Sequence, residues 1–273
     1  MNDIFIYFSR KSMQNHITFV SAFMNIYDRP YDHRDMEWRL NHFRNIADTG
    51  IHIVLYICQD YHSILFDFFQ KYENIVIIVF KNGVRDTYAY YIYETESPTL
   101  PIHRHEQKDT ANYIALMNAK IEFLYDAIQH NHWNSTHFAW IDFNITHVCK
   151  DIPTSASYLQ WLSKQTLVPS FLTIPGCVDR IDNDNIHGVC WRFCGGFLLG
   201  DMNSILEFYQ LYREHFSCYV QKTGTFLWEV NFWAWLETHT TWNPVWFKAD
   251  HNDSIIRIPE SFLSDECNLQ QNV

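Results

Sequence analysis

Short apolar runs alternate with stretches of helical periodicity along the chain, and this alternation predicts an α/β fold. The apolar runs are rich in β-branched and aromatic residues and predict strands at 17–23, 51–57, 75–80, 138–143, 167–174 and 189–199. Apolar positions three and four apart predict helices at 36–46, 63–71, 111–130, 158–163, 203–215 and 226–237. Strands that alternate with helices form mostly parallel sheets, because each helix returns the chain to the same edge. We therefore expect a mostly parallel sheet flanked by helices.

Two segments lack this periodicity. Residues 85–108 are polar and aromatic and include Pro98 and Pro101, so they are predicted to form a loop, and residues 246–259 are predicted to be extended. No linker, low-complexity tract or repeat interrupts the chain. Residues 1–273 are therefore expected to form a single domain.

Asp142 is the most informative position for chemistry, because it comes at the end of an apolar run. The sequence there is Trp140-Ile141-Asp142-Phe143-Asn144. In open α/β sheets, ligands bind at the carboxyl ends of the strands. The carboxylate of Asp142 and the amide oxygen of Asn144 are hard ligands of the kind that Mg²⁺ and Mn²⁺ prefer. The structural alternative is an aspartate that caps the turn after the strand.

Charge and cysteine content narrow the class of partner and the compartment. The formal net charge of -11 argues against nucleic acid, whose binding depends on cations that neutralise phosphates. The 7 cysteines are an odd number spread over a chain of ordinary size, which favours reduced thiols over a disulfide framework. The apolar patch at residues 4–8 is too short for a signal peptide, and no run approaches the roughly 20 apolar residues of a membrane span. We expect a soluble, cytoplasmic protein.

Common phosphate-binding and hydrolase motifs are missing from the sequence. It contains no Walker motif, no Gly-x-Gly-x-x-Gly fingerprint and no Gly-x-Ser-x-Gly elbow. These omissions argue against P-loop ATPases, kinases, dinucleotide-dependent dehydrogenases and α/β-hydrolases.

Four blocks of sequence, in the same order, resemble the HtrL/YibB family of glycosyltransferases. The blocks are Phe19–Phe23 with Asn25, Ile26 and Arg29; Tyr113–Lys120; Phe138–Phe143; and Gly195–Gly200 with the helix after it and Glu229. The resemblance implies a GT-A-like, Rossmann-type fold. It also implies transfer of a sugar from a nucleotide-diphosphate sugar, with UDP-sugar favoured, to a hydroxyl of a carbohydrate or glycoconjugate acceptor, assisted by Mn²⁺ or Mg²⁺.

The same resemblance implies roles for individual residues. The donor-binding residues would be Phe23, Arg29, Asp60, Lys120, Asp142, Gly195 and Gly196. The metal ligands would be Asp142, Asn144 and His251, and the catalytic residues Glu229 and Asp142. Two of these have ordinary alternatives, since a lysine on a helix is usually solvated and His251 fits a plain polar loop.

Glu229 is an acidic residue with apolar neighbours on a predicted helix. Such a carboxylate suits a base that accepts a proton from the acceptor hydroxyl in an inverting transferase, or one that orients the donor sugar in a retaining one. The structural alternative is an ion pair with Arg192 or Arg213. Trp191 and Trp228 are candidates for stacking on sugar faces, although most of the 10 tryptophans must belong to the core.

Two further hypotheses compete with the transferase. His187, Cys190 and Cys194 fall within reach of a shared zinc ion, but they lack a second pair of ligands with regular spacing. The other hypothesis is a catalytically inactive nucleotide- or carbohydrate-binding protein of the same fold. It is favoured by Asn144, which stands where GT-A enzymes carry the second aspartate of an Asp-x-Asp motif.

Overall fold

A seven-stranded sheet forms the centre of the structure, a computed structural model that describes residues 16–27, 34–180 and 188–264. Its strands are β1 (Ile17–Phe23), β2 (His52–Cys58), β3 (Ile75–Phe80), β4 (His137–Ile141), β5 (Leu172–Gly176), β6 (Phe197–Asp201) and β7 (Val245–Lys248). Across the sheet they follow the order β3-β2-β1-β4-β6-β5-β7.

Helices connect the strands and cover both faces of the sheet. They are α1 (Met36–Ala47), α2 (His62–Phe69), α3 (Tyr88–Glu96), α4 (Ala111–Asn118), α5 (Lys120–His130), α6 (Ile152–Ser163), α7 (Met202–Thr223) and α8 (Glu229–His239). One face packs against α3, α4, α5, α7 and α8, and the other against α1, α2 and α6.

Alternating residues of each central strand point to opposite faces and supply two cores. Val20 and Trp140 belong to the core under α5 and α7, whereas Phe19 and Ile141 belong to the core under α1 and α6. This explains why the strands read as continuous apolar runs: a parallel strand that is covered on both sides buries every side chain.

The direction of β6 sets which residues reach the ligand-binding edge. Pairs β1–β2, β1–β4, β2–β3 and β5–β7 are parallel, while β6 is antiparallel to β4 and β5. Strand β6 therefore begins where β1 and β4 end. Residues that precede β6, such as Gly195 and Gly196, lie beside residues that follow β4, such as Asp142.

The predicted α/β class, with a mostly parallel sheet flanked by helices, is confirmed. The predicted strands at 17–23 and 75–80 have the observed bounds, and the strands at 51–57 and 138–143 differ by one or two residues. The predicted helix 36–46 corresponds to α1, which starts at the predicted residue because Asp35 caps it by accepting a hydrogen bond from Trp38 N at 2.8 Å.

The prediction of a loop at 85–108 is wrong for its first half. Residues 88–96 form α3, whose first turn is capped by Thr87, and Ser97 ends the helix in the left-handed region at φ 48°. Three of its tyrosines, Tyr88, Tyr90 and Tyr93, are buried or packed on the core, and Tyr93 lies against Phe226 at a centroid distance of 5.1 Å. Tertiary packing therefore decides the conformation here.

Other boundaries are shifted for identifiable reasons. The predicted strands 167–174 and 189–199 begin later, as β5 and β6. Apolar residues before β6 lie in a loop, and their side chains are buried in the core. Phe193, for example, packs against Trp233 and Trp242 without strand pairing. The predicted helix 111–130 is interrupted at Ala119. The predicted extended tail 246–259 contains β7 and then a helical turn at 253–256.

Within residues 16–27, 34–180 and 188–264, none of the helices combines the length and apolar character that crossing a bilayer requires.

Candidate functional site

A cavity of about 380 Å³ opens at the sheet edge where β1 and β4 end and β6 begins. Its lining includes residues from the segments after β1 and β4, from the start of α5, from the glycines before β6, and from the start of α8. This is the edge at which open α/β sheets bind ligands. The cavity volume lies within the range of small-molecule sites.

Three charged side chains form the floor of this cavity. The Lys120 ammonium nitrogen lies 2.8 Å from Oε1 of Glu229 and 3.1 Å from Oδ1 of Asp142. It also donates to the backbone oxygen of Gly195 at 2.8 Å. An ammonium has three N–H donors, so each has an acceptor within hydrogen-bonding distance.

The two members of the Lys120–Glu229 pair are deeply buried. Lys120 is 1% exposed and Glu229 5% exposed, whereas the side chain of Asp142 is 36% exposed toward the cavity. Burial alone lowers the pKa of Lys120, but the negative charges of Asp142 and Glu229 outweigh it and raise the pKa above its ordinary value. Lys120 is therefore a stable cation at the bottom of the site.

The local sequence explains how a lysine and a glutamate so far apart in the chain meet. The helical run 111–130 breaks at Ala119, so Lys120 is the first residue of α5. The side chain of Asn118 donates to the backbone oxygen of Leu227 at 2.9 Å and thereby ties the end of α4 to the segment that starts α8. Glu229 is the first residue of α8.

Asp142 is held from two directions. Its Oδ1 accepts a hydrogen bond from the indole nitrogen of Trp140 at 2.7 Å, in addition to the contact with Lys120. Its backbone nitrogen donates to the oxygen of Gly196 at 3.0 Å, across to the neighbouring strand. The carboxylate is therefore fixed in position before any ligand arrives.

The glycines before β6 allow this close approach. A Cβ atom at Gly195 would lie 1.9 Å from Oε1 of Glu229, and one at Gly196 would lie 2.9 Å from Ile145 Cδ1 and 3.6 Å from Oδ2 of Asp142. A side chain at position 195 would collide with the buried carboxylate. Gly195 is thus needed for the Lys120–Glu229 contact.

The cavity is locally cationic in an acidic chain. Its lining carries four Lys or Arg residues against three Asp or Glu residues: Arg34, Arg39, Lys108 and Lys120 against Asp109, Asp142 and Glu229. The whole chain has a formal net charge of -11. A cleft of this sign attracts an anionic ligand and favours its retention.

Most of the residues predicted for the site line this one cavity. They are Phe23, Lys120, Asp142, Asn144, Gly195, Gly196, Glu229 and His251. The ring of Phe23 stacks on Tyr61 and Phe143 at centroid distances of 5.1 and 4.3 Å. Asp60 lies outside the lining and is exposed, with Asn25 Nδ2 3.4 Å from its Oδ2. Arg29 lies outside the described residues.

The predicted metal ligands Asp142, Asn144 and His251 all line the cavity. Among residues 16–27, 34–180 and 188–264, no three His, Cys, Asp or Glu side chains are grouped closely enough to hold an ion. With the oxygen and nitrogen of its amide assigned so that both are satisfied, Asn144 accepts from Arg39 Nη1 at 3.1 Å and donates to the Arg39 backbone oxygen at 3.2 Å. The ring of His251 lies 6.0 Å from that of His147. The role of Asp142, Asn144 and His251 as metal ligands remains a prediction.

The structure bears on two alternatives raised by the sequence, an ion pair between Glu229 and an arginine and a zinc site at His187, Cys190 and Cys194. Glu229 pairs with Lys120, so the alternative of an ion pair with Arg192 or Arg213 is wrong. Arg192 instead pairs with Glu237 at 2.6 Å. Residues 190 and 194 do not share a strand, and His187 of the zinc hypothesis lies outside the described residues. The sulfur of Cys194 lies 3.3 Å from that of Cys177.

Several lining residues were not predicted from the sequence. They are chiefly Arg34, Arg39, Lys108, Asp109, Tyr113 and His147, while the suggested Trp191 and Trp228 do line the cavity. Trp191 is 49% exposed and Trp228 is buried. The arginines belong to a charged helix start, which reads as an ordinary solvated surface. The one sequence feature that could have pointed to these residues was the charged pair Lys108-Asp109, which comes immediately before the capping residue Thr110.

The chain belongs to the family described as "Bacterial protein of unknown function (HtrL_YibB)", whose model matches residues 57–224. The match covers the helix of Lys120, the strand before Asp142, and Gly195 and Gly196. The predicted resemblance to this family is therefore confirmed. No curated protein matches the sequence.

Solved structures with a similar arrangement have low sequence identity. Mouse xyloside xylosyltransferase 1 in its apo form is 9% identical, with a TM-score of 0.44, covering 85% of this chain and 84% of that one. A 4-diphosphocytidyl-2C-methyl-D-erythritol synthase from Anaerococcus prevotii is 11% identical (TM-score 0.41, 90% and 93% covered). A manganese complex of Rv0371c from Mycobacterium tuberculosis is 8% identical (TM-score 0.40, 89% and 94% covered). These TM-scores are below 0.5. The description of the fold therefore rests on the order and direction of the strands in this chain's own sheet.

Proposed function

We propose that this protein is a glycosyltransferase that moves a sugar from a nucleotide-diphosphate sugar, with UDP-sugar the favoured donor, to a hydroxyl of a carbohydrate or glycoconjugate acceptor. The observation that carries the proposal is the buried Lys120 ammonium between Asp142 and Glu229, at the bottom of a cationic cavity at the ligand-binding edge of the sheet. Sugar transfer of this kind releases a diphosphate, and a cationic site stabilises that leaving group.

Lys120 acts as a positioning residue in this proposal. Its three donors already have acceptors, so a direct contact with a donor phosphate would require it to leave Gly195, Asp142 or Glu229. We infer that Lys120 fixes the two carboxylates. Arg34, Arg39 and Lys108 then meet the diphosphate, because they are the remaining cationic side chains of the lining.

The two carboxylates have different surroundings and therefore different roles. Asp142 is partly exposed to the cavity and lies next to the glycine backbone, where the donor sugar would be held. Glu229 is almost fully buried at the start of α8, beside Trp228. In an inverting reaction Glu229 would accept the proton of the acceptor hydroxyl, and in a retaining reaction it would orient the donor.

The predicted Mn²⁺ or Mg²⁺ remains a prediction. Asp142 would be its carboxylate ligand, and the remaining ligands would come from the diphosphate and water, as is usual for Mg²⁺ in nucleotide sites. No step described above depends on the ion. The single domain, the cytoplasmic location and the roles of Arg29, Asp60, Asn144 and His251 also remain predictions.

The second candidate function is a binding protein of the same fold without turnover. It is favoured by the pairing of Asn144 with Arg39, which occupies the amide where a second metal-binding aspartate is expected. Such a protein would bind the same nucleotide in the same cavity. Only a measurement of turnover distinguishes the two functions.

A thermal-shift panel of nucleoside diphosphates and their sugars, each with Mn²⁺ or with EDTA, tests the proposal. A ligand that binds the folded state raises the melting temperature by mass action. The variant Asp142→Asn should lose the shift, and Asp67→Asn, the same change at an exposed position on α2 outside the cavity, should keep it.

Turnover is then measured with the nucleotide sugar that gives the shift, as release of the nucleoside diphosphate with and without added acceptor. Release by the wild type and by Asp67→Asn, with loss in Asp142→Asn, supports the transferase. Binding without release supports the inactive binding protein. If no nucleotide shifts the wild type, the proposed function is wrong.

A further inference from the structure

Asp109 is a buried carboxylate with one oxygen that lacks a hydrogen-bond donor. The residue is 6% exposed and lines the cavity. Its Oδ2 accepts a hydrogen bond from the backbone nitrogen of His105 at 3.0 Å. Its Oδ1 is buried, and no donor from the described residues reaches it. Buried acceptors in folded proteins almost always have a partner, so this oxygen calls for a donor other than the described residues.

The start of α4 and the turn before it are held by atoms other than Oδ1 of Asp109. Thr110 is the capping residue of α4 and accepts from Tyr113 N at 3.1 Å. The Thr110 hydroxyl also donates to the backbone oxygen of Ile26 at 2.9 Å, which ties the helix start to the segment after β1. The turn before it is closed by Asp109 N donating to His105 O at 2.7 Å. Oδ1 of Asp109 therefore has no part in capping.

An aromatic surface lies next to Asp109. Tyr113 is one helical turn further on, and its ring stacks on Tyr27 at a centroid distance of 6.4 Å and an angle of 16°. The ammonium of Lys108 lies 5.2 Å from the Tyr113 ring centre. All four side chains line the cavity. A carboxylate acceptor beside aromatic rings suits a ligand that combines hydroxyl groups with an apolar ring face.

Tyr113 also connects this corner to the cavity floor. Burial raises the pKa of Tyr113 well above its ordinary value, and the negative charges of Glu229 and Asp142 raise it further. Its phenol therefore stays protonated and remains a hydrogen-bond donor at neutral pH. Because Asp109 repels phosphate, the corner is suited to the uncharged, hydroxylated part of a ligand whose phosphates lie against the cationic residues.

We propose that Asp109, with Tyr27 and Tyr113, forms a subsite for a polyhydroxylated ring, in which Oδ1 of Asp109 accepts a hydrogen bond from a ring hydroxyl. This inference rests on the proposed function for the identity of the ligand, which supplies two such rings, the ribose and the transferred sugar. The shared chemistry is a hydroxyl donor on a saturated ring, and the two sources are separated by experiment.

The test is a calorimetric titration of wild type, Asp109→Asn and Asp109→Ala with UDP and with UDP-glucose. Hydrogen bonds to charged groups make roughly 10- to 100-fold differences in affinity, so a loss of that size is expected. If both ligands weaken, the ribose occupies the subsite. If only UDP-glucose weakens, the transferred sugar occupies it. The variant Asp67→Asn should match the wild type in both titrations.

A thermal melt of the protein without ligand shows whether an Asp109 variant loses affinity because it is unfolded. Asparagine retains an acceptor for His105 N, so free Asp109→Asn should melt at or above the wild-type temperature. Affinities equal to wild type for both ligands would assign Asp109 to the turn alone and overturn the proposal.

Failure of the proposed function has a separate signature. If the wild type binds neither UDP nor UDP-glucose, the thermal shift is repeated with free glucose and xylose at high concentration. A shift that Asp109→Asn abolishes keeps the subsite without a nucleotide donor. No shift by either sugar overturns it.

Discussion

The ammonium of Lys120 lies 2.8 Å from a carboxylate oxygen of Glu229, although the residues are 109 positions apart. Each is the first residue of its helix, Lys120 in α5 and Glu229 in α8. A helix N-terminus favours an anion, so the position suits Glu229 and opposes the charge of Lys120. The lysine remains charged because Glu229 and Asp142 both lie against it, and the two helix starts are held together at the cavity floor.

Removing the charge of Lys120 should destabilise the protein strongly. The change Lys120→Met leaves Glu229 buried and Asp142 beside it without a counter-charge, and breaking a buried pair from one side costs about 3–5 kcal/mol. We expect that loss in the free energy of unfolding measured with urea.

The double variant Lys120→Met/Glu229→Gln should recover part of this loss, because it no longer buries an unpaired charge. The exposed Lys150 supplies a control, and Lys150→Met should unfold like the wild type. A double variant no more stable than Lys120→Met would contradict the ion-pair explanation.

A methyl group at Gly195 should disable the site while leaving the fold in place. It would meet Oε1 of Glu229 at 1.9 Å, so the Glu229 side chain must leave Lys120. A displacement of about 1 Å in a catalytic group can reduce turnover roughly 100-fold. For the proposed transferase, we expect a loss of that order in the rate at which Gly195→Ala releases the nucleoside diphosphate.

The matched control is Gly188→Ala, where an added Cβ meets nothing within 4 Å. It should retain wild-type turnover and ligand-induced melting shifts. Equal turnover in Gly195→Ala and Gly188→Ala would show that Glu229 need not stay against Lys120.

Acid should destabilise the protein through His52. This residue is buried in β2 and stacks on Trp133, and burial lowers its pKa from 6.5 to about 4. The unfolded chain therefore binds a proton that the folded protein refuses between pH 6.5 and pH 4. Stability falls as the pH drops through this window, by about 3 kcal/mol from this one group.

The measurement is the free energy of unfolding of wild type and His52→Gln at pH 7 and pH 4. Other groups titrate in the same range, so the informative quantity is the difference between the two proteins. The variant should lose less stability on acidification. An identical pH dependence would mean that His52 is protonated in the folded state.

The local sequence pattern predicted the fold correctly where buried apolar residues also pair in the sheet. Strand 75–80 and the position of Asp142 follow from apolar runs and from the rule that strands end at the ligand edge. Phe193 shows where this reasoning fails. In sequence it looks like a strand residue, but it lies in a loop, where it is fully buried and packs against two tryptophans. Burial alone does not reveal whether the backbone is paired.

The site was only partly predictable for a different reason. Lys120 and Glu229 were each singled out, but their contact depends on Asn118 and Leu227, which no local pattern connects. Arg39 and Asp109 carry charges typical of solvated helix starts. Their role depends on which way the surrounding elements turn them, and that is decided by long-range packing.

The reversed direction of β6 has a mechanical consequence. Asp142 N donates to Gly196 O at 3.0 Å, and the side-chain ammonium of Lys120 donates to Gly195 O at 2.8 Å, so three chain segments are joined at the floor through the backbone before β6. Sliding of β6 against β4 would break the bond between Asp142 and Gly196 and draw Gly195 away from Lys120, so we expect the floor to move as one unit. Any closure around a ligand must therefore come from the walls, where Arg34, Lys108 and Trp191 lie outside the sheet.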